Sequence, residues 1–301
     1  MDRFRHLDEL PAAPQGRAIA VGTFDGVHLG HRQVIQSALD WARSHDCSAC
    51  VVTFDPHPLH VLQPDDPPRL LTPPEVKADL ISGLGVDELL MIPFTREFSE
   101  MEAGEFCEQV LVGALQARHV SVGANFRFGH GARGDAAMLE SRPEFETTVV
   151  PLVERDGHPV SSSRIRKLLE GGEVSAAAEL LGAPFQLQGP VVRGDERGRE
   201  LGVPTANVKP VDHSLIPGAG IYAGLALDRP AAISIGVRPT FTDDGELLVE
   251  AHLIDFDGDL YGESLRLLFL ERLRDELRFD SADELVEQMR RDVERVREVV
   301  S

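Results

Sequence analysis

Lysine is almost missing from this chain: Lys77, Lys167 and Lys209 are all that 301 residues contain. No Gly-Lys-Ser or Gly-Lys-Thr occurs, which excludes a Walker-type phosphate loop and its lysine. Positive charge is short overall, with 30 Lys and Arg against 50 Asp and Glu and a formal charge of −20. Such a balance argues against a nucleic-acid scaffold, whose phosphates are met by surplus cations. It leaves nucleotides open, because Mg²⁺ and a few local donors can balance a triphosphate. Cysteine is scarce too: three, an odd number, imply a reducing compartment and no disulfide framework. Cys47 and Cys50 form a C-x-x-C, yet no second pair completes a zinc site and Cys50 opens an apolar run. No apolar run approaches the roughly 20 residues of a membrane helix. No apolar segment of signal-peptide type follows Met1 either, so the expected location is the cytoplasm.

What is present is enough chain for two domains. The first half alternates short β-type runs with helical patterns. Ala18–Val21 and Cys50–Phe54 read as buried strands. Val34, Ile35, Ala38, Leu39 and Ala42 recur between them at helical spacing. Helical stretches around Glu75–Leu84 and Phe106–Leu115 precede the strand-like 88–92 and 119–122, and 147–150 reads as a last strand. Such alternation predicts a parallel sheet covered on both faces, with ligands beyond the carboxyl ends of its strands. His28, His31, Asp55, His57 and Asn125 all fall there. After a helical run over 163–181 the character changes at Gly182-Ala183-Pro184. Short strands between Gly, Pro and Asp turns then predict a small antiparallel barrel. A closing helix is expected from about Ala282, capped by Ser281 with Glu284 as reciprocal partner and buried along Leu285, Met289, Val293, Val296 and Val300. The domains are accordingly 1–183 and 184–301.

Two segments carry phosphate chemistry. In the first, His28-Leu29-Gly30-His31 follows a strand and opens a helix. Two imidazoles three residues apart face one side, and Gly30 lets a phosphate approach the backbone. The free N–H groups of the helix start suit the charge on leaving pyrophosphate. Read without context, the pair could equally be metal ligands or polar residues at a cap. The run Gly22-Thr23-Phe24-Asp25-Gly26-Val27-His28-Leu29-Gly30-His31 favours the phosphate role.

His-x-Gly-His is the signature of the nucleotidyltransferase superfamily, and the wider run resembles the adenylyltransferase half of the bacterial bifunctional riboflavin kinase/FAD synthetases. Thr53-Phe54-Asp55-Pro56-His57-Pro58, Gly123-Ala124-Asn125-Phe126-Arg127-Phe128-Gly129 and Ser161-Ser162-Ser163-Arg164-Ile165-Arg166 match that family in order. Val160 and Ser163 depart mildly from its Ile-Ser-Ser-Thr. The resemblance implies that His28 and His31 hold and polarise ATP phosphates, with Gly22, Phe24 and Gly30 beside them. It implies that Ser162, Ser163 and Arg164 clamp the triphosphate, and that Asp55, His57, Asn125 and Arg127 line the flavin nucleotide. Asp-Pro-His-Pro also reads as a plain rigid turn.

The second segment, Gly198-Arg199-Glu200-Leu201-Gly202-Val203-Pro204-Thr205-Ala206-Asn207, is close to the riboflavin kinase motif. Taken alone, Pro-Thr-Ala-Asn is compatible with an ordinary turn. Gly198 and Gly202 let the chain pass near phosphates, and Thr205 and Asn207 are hard oxygen ligands for Mg²⁺. Ser234-Ile235-Gly236-Val237-Arg238-Pro239-Thr240-Phe241 resembles a further family segment, with Arg238 where Asn is commoner. In Val249–Phe256, strand alternation places Glu250 and His252 on one face and Val249, Ala251 and Leu253 on the other. By resemblance Glu250 takes the proton of the riboflavin 5′-hydroxyl. Asp255–Asp259 looks superficially like a calcium loop but lacks the required Gly and Glu, and it reads as a hairpin turn.

The expectation is therefore a Rossmann-like nucleotidyltransferase domain with a parallel sheet, then a riboflavin kinase-like barrel with a C-terminal helix. Riboflavin, FMN, FAD and ATP are its expected partners, without nucleic acid or membrane, and an assembly of identical copies is compatible with it. A single activity with a flavin-sensing barrel, and a non-catalytic flavin-binding protein, are the competing readings.

Overall fold

A computed structural model describes residues 1–193, 204–237 and 247–301. The expected positions Gly198, Gly202 and Arg238 lie outside the described residues. The chain divides into two compact units, Met1–Ser162 and Ser163–Ser301.

The first unit is built on six parallel strands: β1 (Asp2–Phe4), β2 (Arg17–Val21), β3 (Ser48–Asp55), β4 (Glu88–Pro93), β5 (Ala117–Gly123) and β8 (Glu146–Val150), in the order β1-β4-β3-β2-β5-β8. Short hairpins β6 (Arg127–Phe128) with β7 (Gly134–Asp135) and β9 (Glu154–Arg155) with β10 (His158–Pro159) lie outside that sheet. Every residue of β2 is buried, as a strand covered on both faces must be. Its alternation feeds two cores. Ile19 and Val21 pack with Val52, Phe54 and Leu90 on one face. Ala18 and Ala20 pack on the other against Val34, Ile35, Ala38 and Leu39 of helix α1 (Leu29–His45). The chain winds outward from β2 through β3 to β4, then returns to place β5 on the other side of β2. The β2/β5 junction is thus the switch point, and the carboxyl ends there flank the crevice where such sheets bind ligands.

Two helical expectations change in detail. Over 106–115 the chain runs from a turn at Ala103–Glu105 into a wide helix, Phe106–Ala114, and Leu115 N–H reaches five residues back to Val110 O at 2.9 Å. The run over 163–181 is two helices, Ser162–Glu170 and Val174–Leu181, because Gly172 takes φ +79°. The second of them packs on strands of the barrel, so the structural division falls earlier in the chain than residue 183.

The second unit is a closed six-stranded antiparallel barrel: β11 (Phe185–Val192), β12 (Ala206–Val208), β13 (Gly220–Ala226), β14 (Arg229–Val237), β15 (Leu247–Leu253) and β16 (Ser264–Arg274), in the order β11-β12-β15-β14-β13-β16. The reading of 255–259 as a hairpin turn is corrected by this order. β15 pairs with β12 and β14, and β16 with β11 and β13, so the segment joins strands that are not neighbours. The C-terminal helix Ala282–Val300 packs on β13, β14 and β16. Ser281 Oγ accepts from Glu284 N at 3.3 Å as expected, but the Glu284 carboxylate reaches Asp280 N at 3.2 Å instead of closing the box on Ser281. Of the expected stripe, Val296 is fully buried and Leu285, Met289, Val293 and Val300 are half-buried.

Candidate active sites

In the first unit the loop between β2 and α1 is set by a chain of local constraints. Phe24 and Val27 adopt φ of 48° and 42°, unusual for residues with side chains, with Gly26 at 90° between them. Phe24 is buried and turns its ring into the core, where it meets the His31 ring edge-on at 5.4 Å. Gly22 allows this, since a Cβ there would lie 3.0 Å from that ring. Asp25 is buried as well. Its carboxylate accepts from Leu71 N, Thr72 N and Thr72 Oγ1 at 3.0–3.2 Å, and Gly26 N donates to Thr72 Oγ1 at 2.9 Å. Ser162 Oγ donates to Asp25 O at 2.9 Å.

His28 is the N-cap of α1, its Nδ1 accepting from His31 N at 3.3 Å. That contact places the ring proton on Nε2. The two imidazoles stack with centroids 3.5 Å apart. A Cβ on Gly30 would press on His28 at 3.2 Å, so glycine here clears space for the ring as well as for a ligand. Burial pulls His28 down to about 4, against the opposing pull of Asp25. Burial, then His28 and Lys77, hold His31 well below the usual histidine range. Both are neutral at pH 7, and among the described residues His31 Nδ1 is buried with no hydrogen-bond partner.

The other expected residues of this half sit around the carboxyl ends of neighbouring strands. Asp55 closes β3 and pairs with Arg5 at 3.1 Å. His57 caps the short helix α2 (Pro58–Leu62), its Nδ1 accepting from Leu59 N at 3.2 Å. Asn125 is exposed in the turn after β5, and Arg127 on β6 pairs with Asp135 of β7 at 2.9 Å. Ser163 and Arg164 begin the helix Ser162–Glu170 and are grouped with the second unit. Sequence reasoning missed Lys77 as a site residue. It lies on α3 (Pro74–Ser82), is buried, and donates to Thr23 O at 2.9 Å. A lone lysine amid the apolar residues of a helix was the available signal.

In the barrel the expected alternation holds: Val249, Ala251 and Leu253 are buried, whereas Glu250 and His252 are half-buried on the opposite face. Register brings the motifs together. Asn207 is the direct partner of Glu250 across β12 and β15, and Ser234 is its partner across β14 and β15. Thr205 immediately precedes β12, and the carbonyl of the adjoining Pro204 lies 2.8 Å from His252 Nδ1. A pocket of about 400 Å³ opens beside them, lined by Pro204, His252, Phe256, Val293 and Arg297 among others. Arg297 holds Asp255 through contacts of 2.8 and 2.9 Å. Arg297 had no motif to mark it, and Phe256, the last residue of the segment Val249–Phe256, had no expected role; a helix and a loop far apart in sequence supply them. Among the described residues no cluster of three His, Cys, Asp or Glu could hold a metal ion.

Two family models match the chain, FAD synthetase over residues 10–164 and riboflavin kinase over residues 181–300. Curated relatives named bifunctional riboflavin kinase/FMN adenylyltransferase include one from Listeria monocytogenes, 36% identical over 92% of this chain and 90% of its own length. One from Escherichia coli K12 is 36% identical over 97% of this chain and 96% of its own length. Another, from Bacillus subtilis, is 35% identical over 95% and 94%. A crystal structure described as a macrolide-efflux protein from Streptococcus pneumoniae superposes with a TM-score of 0.87 at 32% identity, covering 98% of both chains. The efflux in that description belongs to that protein; among the described residues here no helix is long and apolar enough to cross a membrane. With one family model on each half and relatives aligned almost end to end, the chain belongs to the bifunctional riboflavin kinase/FMN adenylyltransferase family.

Proposed function

We propose that this chain makes FAD from riboflavin in two ATP-dependent transfers, the barrel phosphorylating riboflavin to FMN and the first unit adenylylating FMN. The observation that carries the reading is that each half matches its own family model; the His28/His31 pair at the start of α1 and the Asn207–Glu250 register pair support it.

In the barrel, Glu250 accepts the proton of the riboflavin 5′-hydroxyl as that oxygen attacks the γ-phosphorus of ATP and ADP leaves. Thr205 and Asn207 present neutral oxygens next to that carboxylate, a partial donor set that fits Mg²⁺, which keeps waters and takes phosphate oxygens as its other ligands. Mg²⁺, when bound there, offsets charge on the phosphates. The open pocket beside His252, with Phe256 and Val293 in its lining, is the place we assign to the flavin ring.

In the first unit an oxygen of the FMN phosphate attacks the α-phosphorus of ATP and pyrophosphate leaves. His28 and His31 act as neutral hydrogen-bonding groups, His28 donating from Nε2 to a phosphate oxygen, and the open N–H groups at the start of α1 add to this. Gly22, Phe24 and Gly30 shape the loop around them. Ser162, Ser163 and Arg164 serve the triphosphate, and Asp55, His57, Asn125 and Arg127 the flavin nucleotide. Three free thiols, those of Cys50 and Cys107 buried, support a reducing compartment, and we place the protein in the cytoplasm.

The test is incubation of purified protein with riboflavin, ATP and Mg²⁺, followed by chromatography. FMN and then FAD are expected. FMN without FAD removes the adenylyl transfer; conversion of supplied FMN but not of riboflavin removes the kinase. Bound flavin without turnover of ATP makes the chain a flavin-binding protein.

A further inference from the structure

The loop leading to His28 and His31 holds three residues with positive φ within four positions, Phe24, Gly26 and Val27, two of which carry side chains. Such a conformation persists only where its surroundings over-determine it. Here the surroundings come from one short stretch of chain. Leu71 and Thr72 grip the Asp25 carboxylate and the Gly26 N–H from one side. Five residues after Thr72, α3 delivers Lys77 to the other end of the loop.

Lys77 is 5% exposed, and its ammonium has three protons and three acceptors: Thr23 O at 2.9 Å, Thr53 Oγ1 at 3.4 Å and Phe54 O at 3.5 Å. The first acceptor follows β2 and the other two lie at the carboxyl end of β3. One buried cation thus joins the two strand ends that flank the site, and Thr53 Oγ1 adds a bond to Thr23 O at 3.0 Å. A buried lysine is costly to keep charged. Asp25 and Asp55 supply the compensating negative charge, while burial alone pulls the ammonium below its usual range. A fold whose positive charge is otherwise nearly all guanidinium has kept a lysine here. A compact tetrahedral donor fits three oxygens around one point, which a planar guanidinium does not.

We infer that Lys77 is a positioning residue of the adenylyl-transfer site, whose ammonium pins the Thr23 carbonyl to the end of β3 and so fixes the strained loop that presents His28 and His31. The inference rests on the reading of the first unit as the FMN adenylyltransferase. All three of its hydrogen bonds are to the protein, so it acts through the loop. Groups aligned on charge that develops in the transition state lose their effect when displaced by about 1 Å, a loss of order 10²-fold in rate. The cost therefore falls on kcat more than on KM.

The experiment compares the full chain with Lys77→Met, Lys77→Gln and Lys77→Arg, measuring steady-state FMN adenylylation and riboflavin phosphorylation in the same preparations. Lys77→Met is expected to lower kcat for FAD formation about 10²-fold, with KM for ATP within about threefold and riboflavin phosphorylation within about twofold of the parent. Lys77→Arg, which keeps the charge but not the compact tetrahedral geometry, is expected to leave kcat at least about tenfold below the parent, and an Arg variant with parental kcat overturns the inference. Adenylylation by Lys77→Met within about threefold of the parent overturns the inference, and so does a loss confined to KM. If Lys77→Met does not fold, Lys77→Gln decides: kcat for FAD formation at least about tenfold below the parent with KM for ATP within about threefold supports the role, and kcat within about threefold of the parent overturns it. A parent chain that makes no FAD from FMN sinks the adenylyltransferase reading itself, whereas an active parent with an equally active Lys77→Met sinks only the role of Lys77.

Discussion

Asn207 and Glu250 are direct partners across the antiparallel β12–β15 ladder, 43 positions apart in sequence and side by side on one face of the barrel. Opposed residues of such a pair have Cβ atoms about 5 Å apart, which sets an amide oxygen suited to Mg²⁺ beside a carboxylate suited to proton transfer. Glu250→Gln keeps the shape and removes the base. Riboflavin phosphorylation is expected to fall by about 10³-fold, while conversion of supplied FMN to FAD is unchanged. The two products are resolved by chromatography with riboflavin and FMN as alternative sole flavins. Equal loss of both steps in folded protein would show that the two sites are not separate.

Gly30 is expected to separate stability from activity. A methyl group there meets the His28 ring at 3.2 Å, so Gly30→Ala is expected to tilt the imidazole that we propose donates to a phosphate oxygen. Alanine is also the better helix former, although at the second residue of α1 it gains only part of the roughly 1 kcal/mol seen in helix interiors. Gly30→Ala is therefore expected to melt no lower than the parent yet to form FAD at least about tenfold more slowly. Thermal unfolding and initial rates on one sample check both halves of this expectation.

Acid should weaken the first unit. His28 and His119 are both drawn down to about 4 by burial, with Asp25 opposing at His28 and Glu146 opposing at His119. Above the ordinary histidine range both are neutral whether the chain is folded or not, and stability does not depend on them. As pH falls from about 6.5 towards 4 the unfolded chain takes up protons that the folded one refuses, so stability is lost over that window. Each contributes about 2 kcal/mol of loss between pH 7 and pH 5. Denaturant melts across this range measure it. His119 is away from the loop of the site and bonds Thr148 Oγ1 at 2.8 Å, so His119→Phe is the clean probe and should flatten the slope.

The C-terminal helix is anchored by a nearly buried pair. Arg274 Nε and Nη2 meet the Asp292 carboxylate at 3.0 and 2.6 Å, and Gln288 adds a third bond at 3.0 Å. Removing one partner leaves a desolvated charge, which typically costs about 3–5 kcal/mol. Asp292→Ala is expected to destabilise the barrel by about 3 kcal/mol and Asp292→Asn by less, read from the denaturation midpoint of riboflavin kinase activity.

Much of the architecture was legible in sequence because periodicity reports burial directly. The stripe from Val34 to Ala42 buried as expected, and the alternation across Val249–Leu253 placed Glu250 outward. The candidate phosphate motifs could be picked out for a different reason: each is a local arrangement of neighbouring residues, as His28 and His31 are, stacked across one helical turn. Where local pattern was the only guide to longer-range connection it misled. Asp255–Asp259 has turn composition, but nothing in it states that β15 and β16 pair with different partners.

Sequence alone determined the two halves of this protein, their order, the helix start under His28 and the outward face of Glu250, since these depend on residues within one or two turns of each other. Tertiary structure decided which distant groups meet: Lys77 under Thr23, Thr72 on Asp25, Asn207 and Ser234 flanking Glu250, and Phe256 with Val293 around one pocket. The physical reason is that strand register and the direction of chain return are set by the packing of the whole sheet or barrel. No window of neighbouring residues contains that information.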